Sequence, residues 1–168
     1  MDKIKKILAP TDFSELSQVG VRYALNWAKE VGAEVTVYHT VSYDEITQVF
    51  GSDMGEKTIP NNTLRPSDHL QKYQLALARF LKDHFSDLVQ RVKIREKVEF
   101  GRPDKNIVEE ASKEGTDLIV ISTHGRTGLS HMLVGSVTEK VVRHAPCPVL
   151  SIHPQPEEKA AQKTAAVA

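Results

Sequence analysis

Ser122 to Ser136, STHGRTGLSHMLVGS, is a glycine-punctuated segment that follows an apolar run and leads into a helical pattern. The run before it, Asp117-Leu118-Ile119-Val120-Ile121, is apolar on consecutive positions and rich in β-branched side chains. That composition predicts a strand buried on both faces of a parallel sheet. On the far side, Ser136-Val137-Thr138-Glu139 has the S-x-x-E spacing of a capping box. The spacing predicts a helix starting at Ser136, whose hydroxyl accepts from the Glu139 amide while Glu139 reaches back. A strand, a loop with glycines at 125, 128 and 135, and a helix start together form a candidate anion site. Glycines let backbone amides approach a ligand, and a helix start adds unpaired amides and the positive end of a dipole. The same glycines also suit a plain turn, and a capping box is structural by default. The segment matches neither the G-x-x-x-x-G-K-[ST] nor the G-x-G-x-x-G pattern, so neither fingerprint applies.

Outward from this loop the chain reads as alternating strands and helices. Ile4 to Pro10 is the first strand, and Asp12 or Ser14 caps a helix that Gly32 stops. Ala33 to Val41 is the second strand, with imperfect alternation. From Tyr43 to about Pro66 the sequence is polar and rich in glycine, asparagine and proline, the composition of a lid, a binding loop or a disordered segment, and is expected to be partly mobile with a helical turn around Asp44 to Phe50. Ser67 to Gln90 has a strong helical period with Ser67 and Asp68 at its N-terminal cap. Val92 to Phe100 alternates apolar with charged residues, as an edge strand does. A short helix from Asp104 ends at Gly115, and the helix from Ser136 stops at Ala145-Pro146. Pro148 to Ile152 is the last strand. The expected organisation is one α/β domain over residues 1–153 and a disordered tail over 154–168. Strand-helix repetition predicts an open doubly wound parallel sheet of five strands, with ligands beyond the C-terminal strand ends where strand order reverses.

Composition narrows the function classes. The chain has 168 residues, with 22 Lys and Arg balanced by 22 Asp and Glu, so no global charge draws it to nucleic acid or to an anionic membrane. No run reaches membrane-spanning length and no signal peptide is recognisable, which predicts a cytoplasmic protein. The single cysteine, Cys147, excludes an internal disulfide framework and reads as a small hydrophobe between two prolines. The seven histidines show no spacing that would make a zinc site, and no G-x-S-x-G elbow is present.

Ser122-Thr123-His124-Gly125, nine residues, then Gly135-Ser136 resembles the nucleotide-binding signature of the universal stress protein family, G-x2-G-x9-G-[ST]. The resemblance extends to Ala9-Pro10-Thr11-Asp12-Phe13-Ser14 and to Ala145-Pro146-Cys147-Pro148-Val149-Leu150, and so covers nearly all of the chain except the tail. One position departs: the first glycine of the signature is Ser122 here, placing a side chain where the family keeps backbone near the ribose. The family also contains members that do not bind ATP. The resemblance implies helices on both faces of a sheet ordered 3-2-1-4-5, which sets Asp12 and the Ser122 to Ser136 loop on one crevice. It implies that Pro10, Thr11, Asp12 and the end of strand two, Thr40 and Val41, surround the base and ribose of an adenine nucleotide. It further implies that Gly125, Gly135, Ser136, Val137 and Thr138 hold the phosphates, the hydroxyls of Ser136 and Thr138 included. A homodimer through Pro148 to Ile152 is also implied.

Side-chain chemistry fits those roles while leaving alternatives open. Asp12 can accept from an adenine amino group or a ribose hydroxyl, or serve the first helix. Arg126 is a cation in the loop that either meets phosphate or stays solvated, and His124 is a further candidate donor. Phosphates could carry Mg2+ with few protein ligands. The expected function is an ATP-binding stress-response protein, with AMP or ADP as related occupants, whose occupancy sets its conformation or contacts. Two rivals are a slow ATP phosphohydrolase, for which no water-placing machinery is identified, and an interaction protein whose loop is only structural.

Overall fold

The computed structural model describes residues 3–42, 66–123 and 135–153. In chain order these form β1 (Lys6–Pro10), α1 (Glu15–Val31), β2 (Glu34–Val41), α2 (Pro66–Val89), β3 (Lys93–Phe100), α3 (Pro103–Glu114), β4 (Leu118–Ser122), α4 (Ser136–His144) and β5 (Val149–Ile152). The strands make one five-stranded sheet in the order β3-β2-β1-β4-β5, with every neighbouring pair parallel. The chain builds outward from β1 to β2 and β3, then returns to the other side of β1 for β4 and β5. The reversal leaves a crevice between the C-terminal ends of β1 and β4, as the doubly wound topology requires.

Alternation of side chains sorts the core into two layers. Ile7, Ala9, Val35, Val37, Leu118 and Val120 face α1 and α2, and pack on Val21, Leu25, Leu77 and Phe80. Leu8, Tyr38, Ile119 and Ile121 face α3 and α4, and meet Ile107, Ala111 and Val141. Helices on both faces bury β4 along its whole length and β2 beyond its first residue. The imperfect alternation of β2 follows from that coverage, since neither of its faces is wet. β3 lies at the edge and is mostly exposed or half-buried, as its lysines and glutamates predict.

Of the two residues offered as the cap of α1, Ser14 takes the position: its hydroxyl accepts from the Ser17 amide at 3.1 Å. Gly32 ends the helix in the left-handed region at φ 70°, which a Cβ would disfavour. The predicted cap of α2 is corrected. The helix is already formed at Pro66, so Ser67 and Asp68 stand inside its first turn, where proline's fixed φ is pre-organised. Phe85 breaks α2 with φ −135° and ψ 26°. Arg22 of α1 spans that break, donating to the His84 carbonyl and to Asp87 at 3.3 Å while lying over the Phe85 ring.

At the opposite edge of the sheet, Asp117 Oδ2 accepts from the amides of Lys5 and Lys6 at 2.8 and 2.9 Å and ties the starts of β1 and β4. Those two amide bonds hold its carboxyl below the ordinary value. The polar stretch from Tyr43 to Arg65, with its predicted helical turn at Asp44 to Phe50, and the tail from Pro154 lie outside the described residues. Among the described residues no helix is long and apolar enough to cross a membrane.

Candidate functional site

A cavity of about 270 Å³ occupies the crevice at the C-terminal edge of the sheet. Its floor is the ends of three strands: Pro10, Thr11 and Asp12 after β1, Tyr38 to Thr40 of β2, and Ile121 to Thr123 of β4. Gly135, Ser136, Val137 and Thr138 at the start of α4 form one wall, and Pro103 and Ile107 of α3 another. Nine of the expected binding residues therefore come together: Pro10, Thr11, Asp12, Thr40, Ser122, Gly135, Ser136, Val137 and Thr138. His124, Gly125 and Arg126 lie outside the described residues.

The β1–α1 corner is tightly bonded within itself. Thr11 Oγ1 meets Ser17 Oγ at 2.8 Å and accepts from the Phe13 amide at 3.1 Å. Asp12 Oδ1 accepts from both the amide and the hydroxyl of Ser14, at 3.0 and 2.6 Å. Asp12 thus holds the capping serine rather than capping α1 itself. Phe13 sits at φ 64°, a left-handed conformation that non-glycine residues rarely adopt. Its ring packs on His39 at a centroid distance of 4.1 Å and edge-on to Phe80 at 5.5 Å. His39 is 1% exposed, stacks on Tyr73 of α2 and contacts the Thr11 carbonyl through Nδ1 at 2.8 Å. A carbonyl oxygen only accepts, so Nδ1 carries the proton there.

The β4–α4 corner is organised differently. Helix α4 starts at Ser136 as predicted, but the capping box does not form. Gly135 is the N-cap, with extended φ −67° and ψ 152°, and among the described residues no side chain caps the helix. The Glu139 amide bonds the Gly135 carbonyl at 2.9 Å, and the Glu139 carboxylate goes forward to Arg143 at 2.9 Å. Ser136 is therefore the first helical residue, and the amides of Ser136, Val137 and Thr138 open the helix without intrahelical acceptors.

Two hydroxyls on this edge, those of Thr138 and Ser122, bond within the protein. Thr138 Oγ1 donates to the Ser122 carbonyl at 2.8 Å, fastening α4 to the end of β4. Ser122 Oγ donates to the Leu16 carbonyl at 2.7 Å and accepts from the Gly20 amide at 3.1 Å. The serine that replaces the signature glycine thus turns its hydroxyl to α1. A Cβ on Gly20 would stand 2.8 Å from that oxygen, so the glycine is what admits the close approach.

At the end of β2 the side chains of Thr40 and Val41 part company. Successive strand residues face opposite sides, and Val41 is fully buried in the α1–α2 layer, with its carbonyl bonded to the Gly101 amide at 3.1 Å. Thr40 alone of the pair lines the cavity. Beneath α3, Tyr38 donates to Glu99 Oε2 at 2.6 Å, Lys97 bridges Glu99 and Glu110 at 3.1 and 2.5 Å, and Asn106 donates to the Phe100 carbonyl at 3.0 Å. Burial, then the bond to Glu99, pushes the Tyr38 hydroxyl well above its ordinary value, while Asn106 and Thr40 oppose the rise. Burial acts to raise the Glu99 carboxyl, but the Tyr38 and Lys97 bonds outweigh it and the net shift is downward.

Ser17, Tyr38, His39, Pro103 and Ile107 were not anticipated at the site. Their signal was positional: each lies within a few residues of a C-terminal strand end or of a helix start on that edge. Among the described residues no group of three or more His, Cys, Asp or Glu could hold a metal ion.

Comparison with known proteins follows the same architecture. Residues 3–153 match the model of the universal stress protein family. Universal stress protein MJ0531 of Methanocaldococcus jannaschii is 32% identical over 157 residues, covering 88% of this chain and 81% of its own length. The solved structure of hypothetical protein MJ0577, from the same organism, superposes with a TM-score of 0.71 at 28% identity, over 92% of this chain and 99% of that one. A universal stress protein solved in complex with cAMP shares the fold, with a TM-score of 0.62 at 19% identity, over 90% of this chain and 98% of that one.

Proposed function

The chain belongs to the universal stress protein family, and from that premise we propose that it binds an adenine nucleotide, ATP first, in the crevice between β1 and β4. The observation that carries this reading is the start of α4. Ser136, Val137 and Thr138, whose amides have no side-chain cap among the described residues, line a cavity whose opposite corner presents Asp12. Phosphate suits the helix start, where amides and the dipole favour an anion. The base and ribose extend toward Pro10 to Asp12 and the end of β2. A divalent ion such as Mg2+ would be carried by the phosphate oxygens, which need few protein ligands.

The proposed role is a cytoplasmic sensor in the stress response, with occupancy rather than turnover as the signal. Thr138 links the helix start to the Ser122 carbonyl, and the Thr123 amide links the same strand end to the Ile152 carbonyl of β5 at 2.8 Å. Occupancy is thereby coupled to the edge strand through which two copies would pair, as the family resemblance implies.

The test is to denature the freshly purified protein, identify released small molecules by mass spectrometry, and titrate the emptied protein with ATP and Mg2+ by calorimetry. Release of ATP, ADP or AMP at close to one per chain, or rebinding with a rise in melting temperature, is the expected result. No release, no heat and no thermal shift at millimolar ATP would reject nucleotide binding and leave a protein that works through its surfaces.

A further inference from the structure

Helix α3 is fastened to the sheet in a different way from α1. α1 buries Val19, Val21, Ala24, Leu25 and Ala28, whereas α3 buries only Ile107, Glu110 and Ala111. One of those three carries a carboxylate. Glu110 is 3% exposed; its Oε2 accepts from Lys97 of β3 at 2.5 Å, and its Oε1 has no hydrogen-bond partner among the described residues. Lys97 is divided between Glu110 and Glu99, whose Oε1 lies 3.1 Å away. Further along the same seam, Arg95 reaches Glu114 at 2.9 Å and Thr36 at 3.2 Å. A buried ion pair gives little net stability, because desolvation offsets the attraction, and a carboxylate oxygen left without a donor adds a cost. Apolar side chains of similar volume often hold such a joint as well or better. The seam under α3 is therefore a weak joint.

The ends of α3 suit movement about that joint. Gly101 precedes the helix at φ 146° and Gly115 follows it at φ 61°, both in the left-handed region that favours glycine. Beyond them the chain is anchored to the sheet: the Gly101 amide bonds the Val41 carbonyl at 3.1 Å, and the Asp117 amide bonds the Lys6 carbonyl at 2.9 Å. Between the anchors, α3 supplies Pro103 and Ile107 to the cavity wall. Its ties at that end include a hydrogen bond from Asn106 to the Phe100 carbonyl at 3.0 Å and a loose ion pair, Asp104 to Lys140 of α4 at 3.7 Å. Water can replace both. We infer that α3 opens from the sheet as a unit, that Lys97 and Glu110 are its clasp, and that the opening is the passage by which nucleotide enters and leaves the crevice. This rests on the nucleotide reading above and deepens it by assigning the route of exchange. Opening costs the burial of Ile107 and Ala111 but rehydrates Glu110, so the two states lie closer in free energy than for a helix on an apolar seat. A nucleotide seated against Pro103 and Ile107 opposes the opening.

The experiment uses the full chain, emptied of nucleotide, as wild type, Lys97→Met/Glu110→Leu and Glu110→Gln. The double variant makes the clasp apolar and leaves Glu99, which is half exposed, to Tyr38 and water. Native-state hydrogen exchange, read by mass spectrometry, should show the α3 amides of wild type exchanging together at least about tenfold faster than those of α1. The double variant should slow α3 about tenfold or more and narrow that gap. Glu110→Gln breaks the pair from one side and should speed α3 about threefold or more, which keeps the test open if the double variant misfolds. Saturating ATP with Mg2+ should slow α3 exchange in wild type. Displacement of a fluorescent ATP analogue by ATP, followed by stopped flow, should be about fivefold or more slower in the double variant and faster in Glu110→Gln. Exchange of α3 at the rate of α1 in wild type would overturn the opening, whether or not nucleotide binds. A separate opening with displacement rates unchanged across the variants would overturn its role as the passage. A protein that binds no nucleotide would fail the nucleotide reading and the passage with it, while exchange would still decide the opening.

Discussion

Two helices begin at the same edge of the sheet, and their first turns are built in opposite ways. At α1, Ser14 caps the Ser17 amide, Asp12 holds Ser14, and Thr11 engages Ser17 and Phe13, so the corner satisfies itself. At α4, glycine occupies the N-cap and, among the described residues, no side chain covers the opening amides. A capped helix start is finished as a structure, whereas an uncapped one keeps its binding capacity for something else. The contrast separates residues that hold the crevice open from those that face its occupant.

The sharpest way to break this contrast is Gly135→Glu. The φ of −67° tolerates any side chain, and a carboxylate at a helix start is favourable. The variant should therefore melt no lower than wild type while losing ATP affinity more than about 100-fold, because its own anion occupies the phosphate position. Retained ATP binding by calorimetry would remove the α4 start from the site. Next in size is Ser122→Gly, which restores the signature glycine. Losing both bonds to α1 and adding a flexible residue to β4 should cost about 2 kcal/mol in urea unfolding, with no gain in ATP affinity. A tighter nucleotide complex would show that the serine obstructs the crevice instead of bracing its floor.

Ser14→Ala probes the closed corner. Loss of the N-cap should cost about 1 kcal/mol of stability and change ATP affinity by less than about twofold. Collapse of binding would mean that Asp12 meets the ligand only while Ser14 holds it. The smallest effect is expected at Asp117, which is remote from the crevice. Its folded carboxyl lies below the unfolded value, so its contribution is present at neutral pH and is lost as pH falls through the carboxylate range, below about pH 4. Asp117→Asn should flatten the acid limb of the stability curve and leave ATP binding untouched at pH 7.

Much of this architecture is legible in the residues themselves. The apolar run of β4, the glycine stops of α1 and α3, and the charged alternation of β3 each follow from local chemistry, and the structure bears them out. The family resemblance implied the strand order, which periodicity could not fix, and that order is present. The errors share a cause, which is that spacing does not reveal backbone conformation or distant partners. S-x-x-E at Ser136 has the count of a capping box, but Gly135 before it already takes the extended N-cap conformation. Thr40 and Val41 are adjacent in sequence and their side chains lie on opposite faces, one at the cavity and one in the core, which spacing alone does not assign. Ser122 finds its acceptor at Leu16 and its donor at Gly20, more than a hundred positions away. Nothing near Ser122 in the sequence announces those contacts.

The two rims of the sheet differ as sharply as the two helix starts. β3 presents Lys93, Arg95 and Glu96 to solvent, with Lys93 paired to Glu34 and Arg95 to Glu114, whereas Val149, Leu150 and Ile152 of β5 are half-buried and apolar. Charge along a rim repels further strands, and an apolar rim invites them. Growth of the sheet by accretion is thus barred at one end and open at the other. A contact made by the open rim with its own two-fold mate would consume it, leaving charged rims at both ends and no template for a filament.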